Sequence, residues 1–184
     1  MIVNVPNLIT LLRILVTPLF VIFMIREQYP YALLVFAAAG VSDALDGFLA
    51  RWYDQKTVLG AHLDPLADKL LLTSAYIALA VQQIIPSWLA VVVISRDFLI
   101  LSGIGILRFF NIAFAIKPSI VSKCTTAAQL TTAFLVLLSF QVAAVQPLLK
   151  PIFWVTTGLT LASGLHYLAR GVAILHAQDT DLER

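Results

Sequence analysis

Apolar residues gather in six long runs separated by short breaks that carry polar residues or proline. The runs lie near Leu8–Ile25, Tyr31–Ala50, Leu66–Ile85, Ser87–Phe109, Ser122–Val145 and Ile152–Leu175. An α-helix needs about 20 such residues, at about 1.5 Å rise each, to cross a hydrocarbon core. Pro30, Pro86, Pro118 and Pro151 fall at the breaks, where a missing amide hydrogen does least harm. The pattern predicts an all-α polytopic membrane protein with six transmembrane helices. It shows no internal repeat, low-complexity tract or long loop. Arg13 follows closely on Asn7, so the first helix is expected to start at the interface rather than in hydrocarbon.

Composition agrees with this pattern. Of 184 residues, 60 % are apolar and 12 % charged, and mean hydropathy is +0.94. Soluble domains run about 45–50 % apolar and about 25 % charged. A chain this apolar needs a second solvent, and the bilayer supplies it. The length suits one domain spanning residues 1–184. A net charge of +2 gives no ground for nucleic-acid binding. The single cysteine, Cys124, precludes an intramolecular disulfide and is expected to be a small buried residue rather than a reactive thiol. Residues 1–7 lack both the basic start and cleavage site of a signal peptide and an Arg- and Ser-rich presequence, so the first apolar run is expected to be retained.

Loop charge sets the orientation. Arg51, Lys56, Lys69, Arg108, Lys117 and Lys123 lie in or beside the second and fourth connections. The first and fifth carry only Arg26 and Lys150, and the third carries no basic residue. The positive-inside rule then puts both termini and the two basic connections in the cytoplasm. Tyr29, Tyr31, Trp52, Tyr53, Trp88, Phe109 and Trp154 sit near helix ends, as aromatic residues at membrane interfaces do.

The acidic residues carry the chemistry. Of ten in the chain, Asp179, Asp181 and Glu183 are in the polar tail and Glu27 is in a loop. Four of the rest, Asp43, Asp46, Asp64 and Asp68, crowd into one stretch. Carboxylates at membrane depth cost about 2.5–3.5 kcal/mol each even on permissive scales, and four together repel unless cations neutralise them. Asp43 and Asp46 are three residues apart and share a face near the end of the second helix. Asp64 and Asp68 are four apart and share a face at the start of the third. Two adjacent helices each offering two oxygen ligands suit one or two hard cations, Mg²⁺ or Mn²⁺ before zinc. Gly47, Ala50 and Gly60 would let a bulky substrate approach the backbone, and Arg51 offers a bidentate charge to phosphate. The competing reading is a solvated patch paired with Arg51, Lys56 and Lys69.

The run Asp43-Ala-Leu-Asp46-Gly47-Phe-Leu-Ala50-Arg51, then Gly60, Asp64 and Asp68, resembles the motif of the CDP-alcohol phosphotransferase family, DxxDGxxAR(x8)GxxxD(xxx)D. All eight defining positions match, with every gap kept. The resemblance implies a six-helix membrane fold, usually a homodimer, with a binuclear Mg²⁺ or Mn²⁺ site in a cavity open to the cytoplasm. It implies transfer of a phosphatidyl group from CDP-diacylglycerol to an alcohol with release of CMP. Asp43, Asp46 and Asp64 would be metal ligands. Asp68 would be the catalytic base and a further metal contact. Gly47, Ala50, Arg51 and Gly60 would line the cytidine-diphosphate pocket. Asn4 to Arg13 also resembles the start of the family members that make phosphatidylglycerophosphate and cardiolipin. Asn7 and Arg13 would then reach the donor phosphates, or else serve helix capping and snorkelling. The implied setting is a bacterial inner membrane.

Two later stretches bear on the acceptor. Ile94-Ser95-Arg96-Asp97, and Lys117 to Lys123 leading into Thr125–Leu130, look more like the cardiolipin-forming members than the glycerophosphate-using ones, which tend to show Arg-Glu and Gly-Lys at these places. Phosphatidylglycerol is therefore the expected acceptor and glycerol-3-phosphate the alternative, with Arg96, Arg108 and Lys123 as acceptor-binding candidates. Arg96 with Asp97 is equally readable as a structural intramembrane pair, and Lys117 and Lys123 as orientation signals. His62 lies between Gly60 and Asp64 and reads as a solvated loop residue. His166 and His176, about three turns apart, form no metal pair. A cation transporter would spread its acids along a midplane pathway, often with repeat symmetry, and neither is seen. A membrane prenyltransferase would need more helices, and a noncatalytic scaffold would not need four acids in register.

Overall fold

The computed structural model describes the backbone of residues 5–53, 58–109 and 119–182, and the side-chain surroundings of residues 13–42, 69–103, 105 and 119–171. Among the described residues six α-helices follow one another: α1 Val5–Ile25, α2 Tyr29–Tyr53, α3 Val58–Val81, α4 Ser87–Phe109, α5 Ile120–Leu138 and α6 Gln146–Leu182. A 3₁₀ turn, Ala143–Val145, precedes α6. No strand occurs among the described residues. The chain divides into two compact units. Unit 1 comprises Met1–Pro86 with Ala133–Leu149, and unit 2 comprises Ser87–Thr132 with Lys150–Arg184.

In unit 1, α1 packs against both α2 and α3. Its buried residues, Arg13, Thr17, Phe20 and Met24, recur at the three- and four-residue spacing of one helical stripe. Ala32, Phe36 and Ala39 on α2 and Leu72, Ala75, Tyr76 and Leu79 on α3 complete this core. The opposite faces are as apolar as the inside: Leu15 and Ile25 on α1, Leu34 and Val41 on α2, and Ile77 and Val81 on α3 are all exposed. A helix that is hydrophobic all round belongs in a large core or a membrane.

The α1 and α3 ends share one construction. Glu27 and Gln83 adopt left-handed backbone, φ 56° and 58°. After α1, the Glu27 amide donates to the Met24 carbonyl and the Gln28 amide to that of Phe23. After α3, the Gln83 amide donates to the Ala80 carbonyl and the Ile84 amide to that of Leu79. This is the paired closure of a Schellman cap, a place where glycine is usual. The Gln82 side chain joins the two ends, donating through Nε2 to the Met24 carbonyl and accepting from the Tyr29 hydroxyl at 3.4 Å. Tyr29 also stacks on Phe140, ring centroids 3.9 Å apart.

Unit 2 reverses the soluble pattern. Thr125, Gln129 and Thr132 on α5 and Thr156, Thr160 and Ser163 on α6 are buried, while Phe98, Ile120, Trp154 and Leu165 are exposed. The Thr132 and Thr156 hydroxyls lie 2.7 Å apart, and Gln129 Nε2 donates to the Thr160 hydroxyl at 3.2 Å. In lipid, apolar surface gives helices no reason to associate, so small residues and hydroxyl contacts hold them together. Among the described residues, Ile120–Leu138 and Ala143–Gly171 are long and apolar enough to cross a membrane. The described parts of α1, α2 and α3, Arg13–Ile25, Tyr29–Ser42 and Lys69–Val81, are apolar as well.

Two helix boundaries differ from expectation. The fifth run was expected to continue to Val145, but α5 stops at Leu138. The Leu138 carbonyl accepts from both the Gln141 and Val142 amides, and the Ser139 hydroxyl donates to the Val136 carbonyl. These bonds satisfy the terminal carbonyls without any change in hydropathy to mark the turn. Pro151, expected at a break, lies inside α6. The break comes earlier, at the extended Val142. His62 falls within α3 rather than in a loop, and Cys124 is exposed rather than buried.

Two outcomes test these features. Glu27→Gly or Gln83→Gly should stabilise the protein by about 1 kcal/mol, because glycine removes the left-handed strain; thermal unfolding in bicelles measures it, and a destabilisation would show the caps are unstrained. A Thr132→Val and Thr156→Val cycle should give a coupling of about 0.6 kcal/mol, read by denaturant unfolding of the four proteins.

Candidate active site

The α2 helix carries Asp43, Asp46, Gly47, Ala50 and Arg51, and α3 carries Gly60, Asp64 and Asp68. All eight motif positions thus fall on helical backbone, on the two helices that flank α1 in unit 1. Helical spacing puts Asp43 and Asp46 about 4.5 Å apart along one axis, and Asp64 and Asp68 about 6 Å apart along the other. Four residues, 54–57, separate the helices. The side chains of Asn7, Asp43, Asp46, Gly47, Ala50, Arg51, Gly60, Asp64, Asp68 and Arg108 lie outside the described residues. Among the described residues no group of three His, Cys, Asp or Glu side chains comes together. The donor set of the motif is all carboxylate, two on each of two helices. That set fits a hard divalent cation.

Arg13 is the donor-site candidate whose surroundings are described. It is 3 % exposed and stands on the α1 stripe that faces α2 and α3. Its carbonyl accepts from the Thr17 hydroxyl at 2.9 Å. A side chain that snorkels keeps its charged head in water, and burial of Arg13 removes that reading. A cation is therefore held inside the unit that contains all four motif aspartates.

The other polar constellation lies in unit 2. Arg96 on α4 is 6 % exposed and its neighbour Asp97 is 5 % exposed. Arg96 Nη1 donates to Asp97 Oδ1 at 2.7 Å. Nη2 donates to the hydroxyls of Ser122 on α5 and Ser163 on α6, both at 2.7 Å, and Nε donates to Ser163 at 3.2 Å. Arg96 and Asp97 thus form a buried ion pair. Ser119 caps α5, its hydroxyl accepting from the Ser122 amide at 3.2 Å. The Ser119 amide approaches the Tyr167 hydroxyl at 3.5 Å. Lys123 follows Ser122 and is exposed. Arg96 and Lys123 are therefore linked through Ser122 but differ in setting, one buried and neutralised, the other open.

Ser163 and Tyr167 were not singled out from the sequence. Their signal was present: Thr156, Thr160, Ser163 and Tyr167 recur every three or four residues along an otherwise apolar helix. Read against the matching spacing of Thr125, Gln129 and Thr132, that stripe marks a helix–helix seam.

Residues 3–164 match the family model described as CDP-alcohol phosphatidyltransferase. A rat protein named cardiolipin synthase (CMP-forming) is 34 % identical over 94 % of this chain, and its human counterpart 33 % identical over the same share. This chain spans 64 % of the length of each. A Bacillus subtilis protein named CDP-diacylglycerol–glycerol-3-phosphate 3-phosphatidyltransferase is 34 % identical over 91 % of this chain and 94 % of its own length. With its eight-position motif on α2 and α3 and a family match over most of its length, the chain belongs to the CDP-alcohol phosphatidyltransferase family.

Proposed function

We propose that the protein transfers a phosphatidyl group from CDP-diacylglycerol to the hydroxyl of phosphatidylglycerol, forming cardiolipin and releasing CMP. The observation that carries the reaction class is the complete aspartate motif, with two carboxylates on each of the two helices that flank α1. Asp43, Asp46 and Asp64, with Asp68 beside them, would hold two Mg²⁺ or Mn²⁺ ions. When bound, these ions supply charge neutralisation for the pyrophosphate and the departing CMP.

The chain's own residues do the rest. Arg51 grips the diphosphate as a planar two-point donor, and Asn7 and Arg13 extend that grip from α1. Gly47, Ala50 and Gly60 leave room for the cytidine end. Asp68 takes the proton from the acceptor hydroxyl. The acceptor oxygen bonds to the lipid-bearing phosphorus as the bond from phosphorus to the CMP oxygen breaks, so one phosphodiester replaces one diphosphate linkage.

Phosphatidylglycerol is favoured as acceptor by the state of Arg96. Glycerol-3-phosphate is nearly dianionic and calls for cations that are not already neutralised. Arg96 is committed to Asp97, Ser122 and Ser163, which leaves Lys123, with Arg108, to meet a singly charged phosphodiester. The alternative acceptor is supported by the Bacillus subtilis relative. All six helices would span the bilayer in a homodimer, with both termini and the α2–α3 and α4–α5 connections in the cytoplasm of a bacterial inner membrane, following their basic residues.

Three measurements test this reading. CMP release from CDP-diacylglycerol should require Mg²⁺ or Mn²⁺ and stop in excess chelator; turnover that continues there would rule out the metal mechanism. Asp68→Asn should lower kcat by about 10²–10⁴-fold, the usual contribution of a general base, while metal-dependent donor binding persists. Given CDP-diacylglycerol and either acceptor, the purified enzyme should make cardiolipin from phosphatidylglycerol. Formation of phosphatidylglycerophosphate instead would assign the other acceptor.

A further inference from the structure

Arg96 is a buried guanidinium in an otherwise largely apolar helix. A buried ion pair is seldom there for stability, since apolar residues of equal volume commonly do as well or better. What the guanidinium adds is direction, because its planar fork fixes the positions of the groups it meets. Those groups are two hydroxyls on different helices. Ser163 belongs to α6, and Ser122 sits in the first turn of α5.

That turn is held from a second side. The Tyr167 hydroxyl of α6 meets the Ser119 amide at 3.5 Å. The Ser119 carbonyl in turn accepts from the Lys123 amide at 3.2 Å. The backbone that carries Lys123 is thereby tied to α4 through Arg96 and to α6 through Tyr167. A lysine is a point charge on a flexible four-carbon stem, so where its backbone starts decides where its charge can reach.

We propose that Arg96 is a positioning residue for the acceptor. It fixes the first turn of α5, and with it Lys123, and does not itself touch the acceptor phosphate. This rests on the reading of Lys123 as an acceptor-binding residue. Asp97 keeps the arrangement neutral, so that Arg96 orients hydroxyls without drawing an anion to itself.

The test is a kinetic cycle on the full-length enzyme in mixed micelles of CDP-diacylglycerol and phosphatidylglycerol. Arg96→Lys keeps the charge and loses the fork. It should raise the acceptor KM about tenfold, as expected for loss of a charge-assisted bond, with the donor KM unchanged. Tyr167→Phe removes one hydroxyl and no charge, and should move the same parameter in the same direction by a smaller factor. It serves as the arm of the cycle if Arg96→Lys does not fold. Added to Lys123→Ala, either change should cause no further rise, since residues acting through one group are not additive. Additive effects would mean that Arg96 contacts the acceptor directly and would overturn the positioning role. A lower unfolding temperature with unchanged acceptor KM would reduce the network to a structural one. If Lys123→Ala alone left the acceptor KM unchanged, the Lys123 reading would fall and this inference with it, while the roles assigned on α2 and α3 would stand.

Discussion

A charge removed from water has to be met by another charge or by well-aimed hydrogen bonds, and the rest of this structure follows from where that condition is satisfied. In unit 2 it is satisfied internally: Arg96 and Asp97 cancel at 2.7 Å, and two serine hydroxyls take further guanidinium donors. In unit 1 the chain places four carboxylates on two consecutive helices, between positions 43 and 68. On the proposed reading their compensation comes with the substrate and its metal ions, assisted by buried Arg13. A site that is costly when empty binds cations strongly when they arrive. Mutual repulsion among carboxylates is therefore of use at a metal-dependent site and would be a defect in a structural one.

The same constraint explains the reversed packing of unit 2. Thr125, Gln129, Thr132, Thr156, Thr160 and Ser163 are buried while phenylalanine, tryptophan and leucine face outward. In water this arrangement would be unstable. In lipid the apolar exterior is neutral with respect to association, and a seam of short hydroxyl side chains gives α5 and α6 a defined register. Each such contact is weak, so specificity comes from having several in line. Arg96 stands at one end of that line and gives it an anchor with fixed geometry.

How much was legible in advance depended on whether the signal was local. The ends of α1 and α4 agree with the hydropathy runs, and the motif on α2 and α3 is readable because helical spacing alone assigns its residues to faces. The end of α5 was not legible, because Ser139 to Val145 remains largely apolar while the turn is made by backbone bonds to Leu138 and by Ser139. The break before α6 was missed for a related reason, since proline marks where a helix can begin but does not require it. The state of Arg96 depended on Ser163, 67 residues away. Nothing in the vicinity of Arg96 distinguishes a phosphate ligand from a structural fork; only the packing of α6 does. Burial of Arg13 likewise became visible only once α1 was seen to face α2 and α3.

These differences bear on how one fold accommodates different acceptors. On the proposed reading the motif serves the donor and the metals, and it sits on two consecutive helices. Relatives named for different acceptors resemble this chain to the same degree, so overall similarity does not carry acceptor choice. On the proposed reading, that choice depends on how much positive charge unit 2 leaves uncompensated near the acceptor, which a single carboxylate beside a single guanidinium can alter. Aspartate at position 97 is short enough to hold Arg96 Nη1 while the remaining nitrogens reach Ser122 and Ser163. A longer acid there would place its charge about one methylene further along and shift the fork. Acceptor preference would then turn on the geometry of a buried pair rather than on the number of basic residues.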